Sequence, residues 1–184
     1  MKFNDHSKLN GFHAFLGASK YHWLNYDEDK LRIIYANTQA SAMGTRLHAF
    51  AAEAIDLGRK QPKNKETLNM YINDAIGFKM TPEVVLFYSE NCFGTADAIS
   101  FRNDKLRIHD LKTGTIPAHV EQLMIYEALF CLEYDVKPDE IEAELRIYQN
   151  NDILVHSPEA SDISHIMGKI ITFDKIIKQM KEQE

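Results

Sequence analysis

Three residues stand out for their types and spacing: Asp97, Asp110 and Lys112. All lie in GTADAISFRNDKLRIHDLKTG, residues 94–114. Asn103-Asp104 suits the two central positions of a tight β-hairpin turn. With that turn, Arg102 faces Lys105, Phe101 faces Leu106 and Ile99 faces Ile108. Asp97 then faces Asp110, and Thr95 faces Lys112. Side chains alternate along a strand, so the last four pairs share one face of the hairpin. One end of that face is apolar, and the other opposes two carboxylates at about 4.5–5.5 Å between Cβ atoms. Like charges this close repel unless one is protonated or a cation lies between them. Two acids and a lysine at the polar end of an apolar face suit a hard divalent ion. A bare D-x-K is common as a surface salt bridge. The opposed Asp97 and the apolar continuation of the face are what favour a site.

Several elements must hold this hairpin. Residues 43–57 read as a helix, with Met43, Leu47, Phe50, Ala51, Ala54 and Leu57 at helical spacing and Gly58 as a stop. Residues 58–66 (GRKQPKNKE) read as a basic, polar loop broken by Pro62. Residues 83–88, 94–102 and 105–113 read as strands. Residues 118–134 read as a buried helix, apolar on most of its circumference. Residues 141–149 alternate as a strand, and 152–156 is a candidate to pair with it. Ile163, Ile166, Met167, Ile170, Ile177 and Met180 repeat at helical spacing near the C-terminus. The order predicts an α/β protein with a mixed central β-sheet flanked by helices. Residues 1–184 are expected to form a single domain, with a core at about 41–156 and a C-terminal helix at about 159–182.

The 184 residues allow a substantial core. No apolar run is long enough to span a bilayer, so no membrane partner is expected. The polar N-terminus, residues 1–10, has no signal-type apolar run, which predicts a cytoplasmic protein. Cys92 and Cys131 lack a C-x-x-C pairing and read as core thiols. The net charge of −6 argues weakly against nucleic acid as a partner. A bound cation or a local basic patch offsets that objection.

GTAD, HDLKTG and QLMIY together resemble the PD-(D/E)XK nuclease superfamily, in its RecB-like exonuclease branch. The resemblance covers roughly residues 41–134. It implies a restriction-endonuclease-like core and a metal-dependent DNA nuclease, with an exonuclease favoured by the branch. Asp97 matches the first metal-binding aspartate, Asp110 the acid of (D/E)-x-K and Lys112 its lysine. Gln122 and Tyr126 match the Q-x-x-x-Y element of the next helix. GTRLH, residues 44–48, resembles the helix that supplies a metal-binding histidine, here His48. Glu83 stands where many members carry a glutamate in the preceding strand. The implied metal ligands are His48, Asp97, Asp110 and the Leu111 backbone carbonyl, with Mg2+ or Mn2+ as the ion. A nitrogen ligand tilts the choice toward Mn2+.

LGASKYHWLNY, residues 16–26, is similar to a segment of some virus-encoded relatives, which would place the protein in a host cytoplasm. Some branch members hold an iron–sulfur cluster with four cysteines. This chain has Tyr26 near where one would fall and only two cysteines, so no iron–sulfur cluster is expected.

The residues also have plainer readings. Gln122 and Tyr126 share a helical face and could simply bond to each other. A lone histidine such as His48 is more often structural, and Trp23 reads as a core anchor before a base-stacking ring. The basic residues 59–65 could meet phosphate. For the lysines at 169, 175, 178 and 181, a solvated surface is the expectation. The implied partner is single- or double-stranded DNA, with recombination or replication proteins and a homo-oligomer left open. Two alternatives stay beside the exonuclease. One is an endonuclease or a subunit of a larger DNA-processing complex. The other is a catalytically inactive nuclease fold that binds DNA or protein.

Overall fold

In the computed structural model, which describes residues 6, 8 and 13–183, three strands follow one another as a meander. They are β1 (Thr81–Ser89), β2 (Cys92–Arg102) and β3 (Lys105–Leu111). Asn103 and Asp104 make the β2–β3 turn with φ of 51° and 56°. Positive φ at both central residues is what a hairpin turn of this twist demands, and Asn and Asp tolerate it. The expected register holds from Arg102↔Lys105 through Phe101↔Leu106 and Ile99↔Ile108 to Ala98↔His109.

β4 (Glu142–Gln149) lies parallel to β3, and β5 (Asp152–His156) closes antiparallel on β4. The sheet order is β1-β2-β3-β4-β5, so the sheet is mixed, as expected. Parallel neighbours need a crossover, which contains α3 (Glu121–Tyr134).

Helices cover both faces of the sheet. Leu86, Ile108, Leu145 and Ile147 pack with Leu123 and Leu129 of α3 and Ile163 of the C-terminal helix. On the other face, Ala98, Leu111 and Tyr148 pack with two further helices, α1 (Glu28–Asp56) and α2 (Thr67–Gly77). They meet α1 through Ala51, Ala54 and Ile55, and α2 through Tyr71, Ile72 and Ala75. Each fully buried leucine or isoleucine adds roughly 1.5–3 kcal/mol of hydrophobic stabilisation before entropy is counted. The C-terminal helix, α4, spans Ala160–Lys181, close to its expected bounds.

The chain divides into two compact units, Met1–Met43 and Gly44–Glu184, with the boundary inside α1. In the first, Phe15 meets Tyr35 edge-to-face at 5.1 Å. Trp23 sits in a 3-10 segment, Ala18–Asn25, and its Nε1 donates to the Gly17 carbonyl at 3.0 Å. Every expected site residue belongs to the second unit. The polar N-terminal segment 1–10 lies, apart from His6 and Lys8, outside the described residues.

Several expected boundaries shift, and one helix is unanticipated. α1 begins at Glu28 rather than Met43. Asp27 caps it, accepting a bond from the Lys30 amide at 2.8 Å, with Glu28 and Asp29 in the first turn. α2 follows the expected 58–66 loop and was not anticipated. β1 spans more than residues 83–88 at both ends. β3 ends at Leu111, not Thr113. α3 starts at Glu121 rather than Ala118, because Gln149 ties down the preceding loop. The Gln149 amide donates to the Gly114 and Ile116 carbonyls at 2.6 and 2.7 Å, and its oxygen accepts from the Ala118 amide at 3.1 Å.

Candidate metal centre

β1 and β2 pair on either side of an interruption, and their register shifts again between Phe87 and Ser89 near the turn. Pro82↔Ala98 and Val84↔Ala96 are in register, and between them stand Glu83 and Asp97. Glu83 takes a φ of 52°. A left-handed glutamate costs about 1 kcal/mol or more, and such outliers gather at functional sites.

α1 brings a third donor. Gly44 lets it approach closely, since a Cβ there would meet Thr113 Oγ1 at 2.7 Å. One turn later, His48 Nδ1 lies 3.5 Å from Asp97 Oδ2. Donor atoms of His48, Glu83 and Asp97 all fall within 4.8 Å of one another. Glu83, the least defined of the expected residues, thus belongs to the central cluster.

The β2–β3 ladder stops at Ala98↔His109, one residue short of the two aspartates. Asp97 reaches across instead, and its Oδ2 accepts the Leu111 amide at 2.8 Å. Leu111 was expected to offer its carbonyl; the contact seen at the site is through its N–H. Asp110 is buried and faces Lys112. The ammonium donates to Asp110 Oδ1 at 3.1 Å and lies 3.0 Å from Oδ2. Oδ2 nevertheless has no hydrogen-bond partner, so the contact there is purely electrostatic. Lys112 also donates to Gln122 Oε1 at 2.9 Å, and Gln122 Nε2 donates to Tyr126 Oη at 3.1 Å. Gln122 and Tyr126 bond to each other, as their plain reading expected. They also extend a chain of contacts from Asp110 and Lys112.

Electrostatics describe a cluster short of positive charge. The Asp97 carboxylate hydrogen-bonds His48 and raises its pKa, against the opposing effect of burial. Burial raises the Glu83 pKa, and the negative charge of Asp97 adds to it. Burial followed by Asp97 also raises that of Asp110, partly offset by Lys112 and His48. Tyr71, which sequence reasoning missed, is held neutral by burial and by the same three carboxylates.

This donor set fits a hard divalent cation: an exposed carboxylate on Glu83, a largely buried one on Asp97, an imidazole and a buried aspartate oxygen lacking a donor. Asp110 is nonetheless not one of the three residues whose donor atoms converge within 4.8 Å.

His109 is adjacent to Asp110 in sequence but turns to the other face of the sheet. It lies among Phe78, Tyr148 and the α2-side core, and burial lowers its pKa to about 3. Its neutral ring is structural.

Gly94 packs against Tyr126, where a Cβ would stand 2.8 Å from Cε1. Gly94→Ala is expected to push Tyr126 off Gln122 and loosen the hold on Lys112. We expect a several-fold to about hundredfold drop in turnover, in line with the loss of a supporting contact. The melting temperature should change by only a few degrees. Full turnover in the variant would show that Tyr126 has no supporting role.

No protein-family model matches the chain, and searches of curated proteins and of solved structures find no match either.

Proposed function

We propose that the protein is a metal-dependent deoxyribonuclease of the PD-(D/E)XK type, with a restriction-endonuclease-like core and exonuclease action. The observation that carries this reading is the convergence of His48, Glu83 and Asp97 beside the Asp110–Lys112 pair, at one end of the β2–β3 hairpin. The mixed sheet with helices on both faces is compatible with such a core, although fold alone does not assign an activity.

His48, Glu83 and Asp97 would hold Mg2+ or Mn2+, with Asp110 at the edge of the set. When bound, the ion supplies Lewis-acid polarisation of a phosphodiester and a water of lowered pKa. The residues of the chain do the rest. Asp97 is held by the Leu111 amide, which fixes the direction of its free lone pairs. Lys112 keeps its ammonium on Asp110 and would stabilise negative charge growing on a phosphoryl oxygen. Gln122 restrains Lys112, and Tyr126 restrains Gln122, so the ammonium stays in place.

The test is cleavage of linear and of covalently closed circular DNA, single- and double-stranded, with Mn2+, Mg2+ or a chelator. The expected result is metal-dependent loss of linear substrate with the circles intact. Cleavage of circles would make the enzyme an endonuclease, and no cleavage of any substrate would overturn the reading.

A further inference from the structure

β1 and β2 have a second face. Val84, Leu86 and Ala96 pack into the core under α3 and α4. The alternating residues Val85, Phe87, Phe93 and Thr95 therefore turn away from it. Phe87 and Phe93 are register partners, and their rings stack at 6.2 Å with 30° between planes. They are 46% and 61% exposed, and Val85 beside them is 54% exposed. Adjoining apolar side chains this open to water mark a contact surface.

The surface is continuous with the metal centre. Glu83 and Asp97 lie four residues from Phe87 and Phe93 along the same two strands. At the rise of a β-strand this is about 14 Å, a span of a few nucleotides. Two lysines of α4 stand at the other end. Lys181 Nζ donates to Asn91 Oδ1 at 2.6 Å, in the β1–β2 turn. Lys178 pairs at 2.8 Å with Asp174, which also accepts bonds from Ser89 and Asn91. α4 is thus pinned to the hairpin tip, with the Lys181 ammonium on Asn91, two residues before Phe93, and the Lys178 ammonium on Asp174.

We propose that Phe87, Phe93, Lys178 and Lys181 bind single-stranded nucleic acid and lead it to the metal centre. Exposed rings with nearby lysines suit unpaired bases, whose faces are free to stack, and a phosphate backbone that needs cations. In a duplex those faces are already stacked on neighbouring bases. The inference rests on the nuclease reading and narrows its substrate to a single strand.

The experiment is fluorescence anisotropy with a labelled mixed-sequence 15-mer DNA, single-stranded or as a duplex, in chelator so that nothing is cut. The wild type should bind the single strand more tightly than the duplex. The double variant Phe87→Ala/Phe93→Ala should bind the single strand about tenfold or more weakly. Phe93→Trp should keep affinity, and Lys178→Gln/Lys181→Gln should lower the salt dependence. Equal single-strand binding by wild type and the double alanine variant overturns the proposal, as does absence of binding by the wild type. So does a wild-type dimer that the alanine variant turns into a monomer, because the surface would then belong to a second copy. Phenylalanine-dependent binding without cleavage by the wild type would retain this surface and overturn only the nuclease reading. Cleavage with phenylalanine-independent binding would do the reverse.

Discussion

Asp97→Asn is expected to lower metal-dependent cleavage on the order of a thousandfold while leaving the fold intact. Asp97 is the member of the cluster with the most contacts. It meets His48, shares the donor group with Glu83, and accepts the Leu111 amide. Asparagine keeps an oxygen for that amide but removes the charge that attracts a cation. It also relieves the carboxylate repulsion, so the metal-free variant should melt at the wild-type temperature or slightly above. Mn2+ should raise the melting temperature of the wild type, because an ion that binds only the folded state stabilises it by mass action. The asparagine variant should show little of that rise. Asp97→Ala would in addition leave the Leu111 amide unpaired, at about 1–3 kcal/mol. If Mn2+ stabilises Asp97→Asn as much as wild type, Asp97 is not a ligand.

The second large effect is on stability. Glu127 lies in α3 with 2% of its surface exposed, and its Oε2 has no hydrogen-bond partner. Burial raises its pKa from 4.5 to about 7. The folded state therefore prefers the protonated acid. The associated stability is fully present below about pH 4.5, where both states are protonated. It is lost as the pH rises through the folded pKa, because the unfolded chain then releases a proton that the folded chain must give up at a cost. Above pH 7 the loss is on the order of 3 kcal/mol. Glu127→Met matches the shape without the charge. It should raise the denaturation midpoint at pH 8 and flatten the pH dependence between about 4.5 and 7. Denaturant titrations at pH 4.5, 6 and 8 measure this directly. A variant no more stable than wild type at pH 8 would mean that Glu127 ionises there without penalty.

The β2–β3 hairpin was legible because its turn residues and alternation agree. Asn103 and Asp104 accept positive φ, and Ile99, Phe101, Leu106 and Ile108 mark one face. The same logic placed Asp97 and Asp110 as a directly opposed pair. The ladder ends before them, because Asp97 uses its side chain to take the Leu111 amide. Alternation describes side-chain direction, not a carboxylate that bonds to the backbone of the next strand. Glu83 is harder still: its left-handed φ breaks the β1–β2 pairing at the cluster, and a glutamate gives no local sign of that. The start of α1 was missed because residues 28–42 bury almost nothing, so no apolar stripe marks them. Asp27, Glu28 and Asp29 are the capping signal that could have shown it. α2 had a usable stripe in Leu68, Tyr71, Ile72 and Ala75, hidden behind a loop-like approach. The role of Gln122 and Tyr126 came from resemblance alone, and the contact with Lys112 could not be read from their spacing.

The crossover between β3 and β4 also sets an order of assembly. β1, β2 and β3 pair through short turns, so Glu83 and Asp97 can meet after closing only small loops. β4 must wait for the whole segment from Leu111 to Glu142, including α3, to fold back. Long loop closures slow folding relative to local pairing. A chain halted between these stages would have the carboxylates of the hairpin side by side, yet lack the helix that restrains Lys112. Substitutions in the β2–β3 turn should therefore slow refolding. Substitutions at the α3–Lys112 contact should mainly speed unfolding.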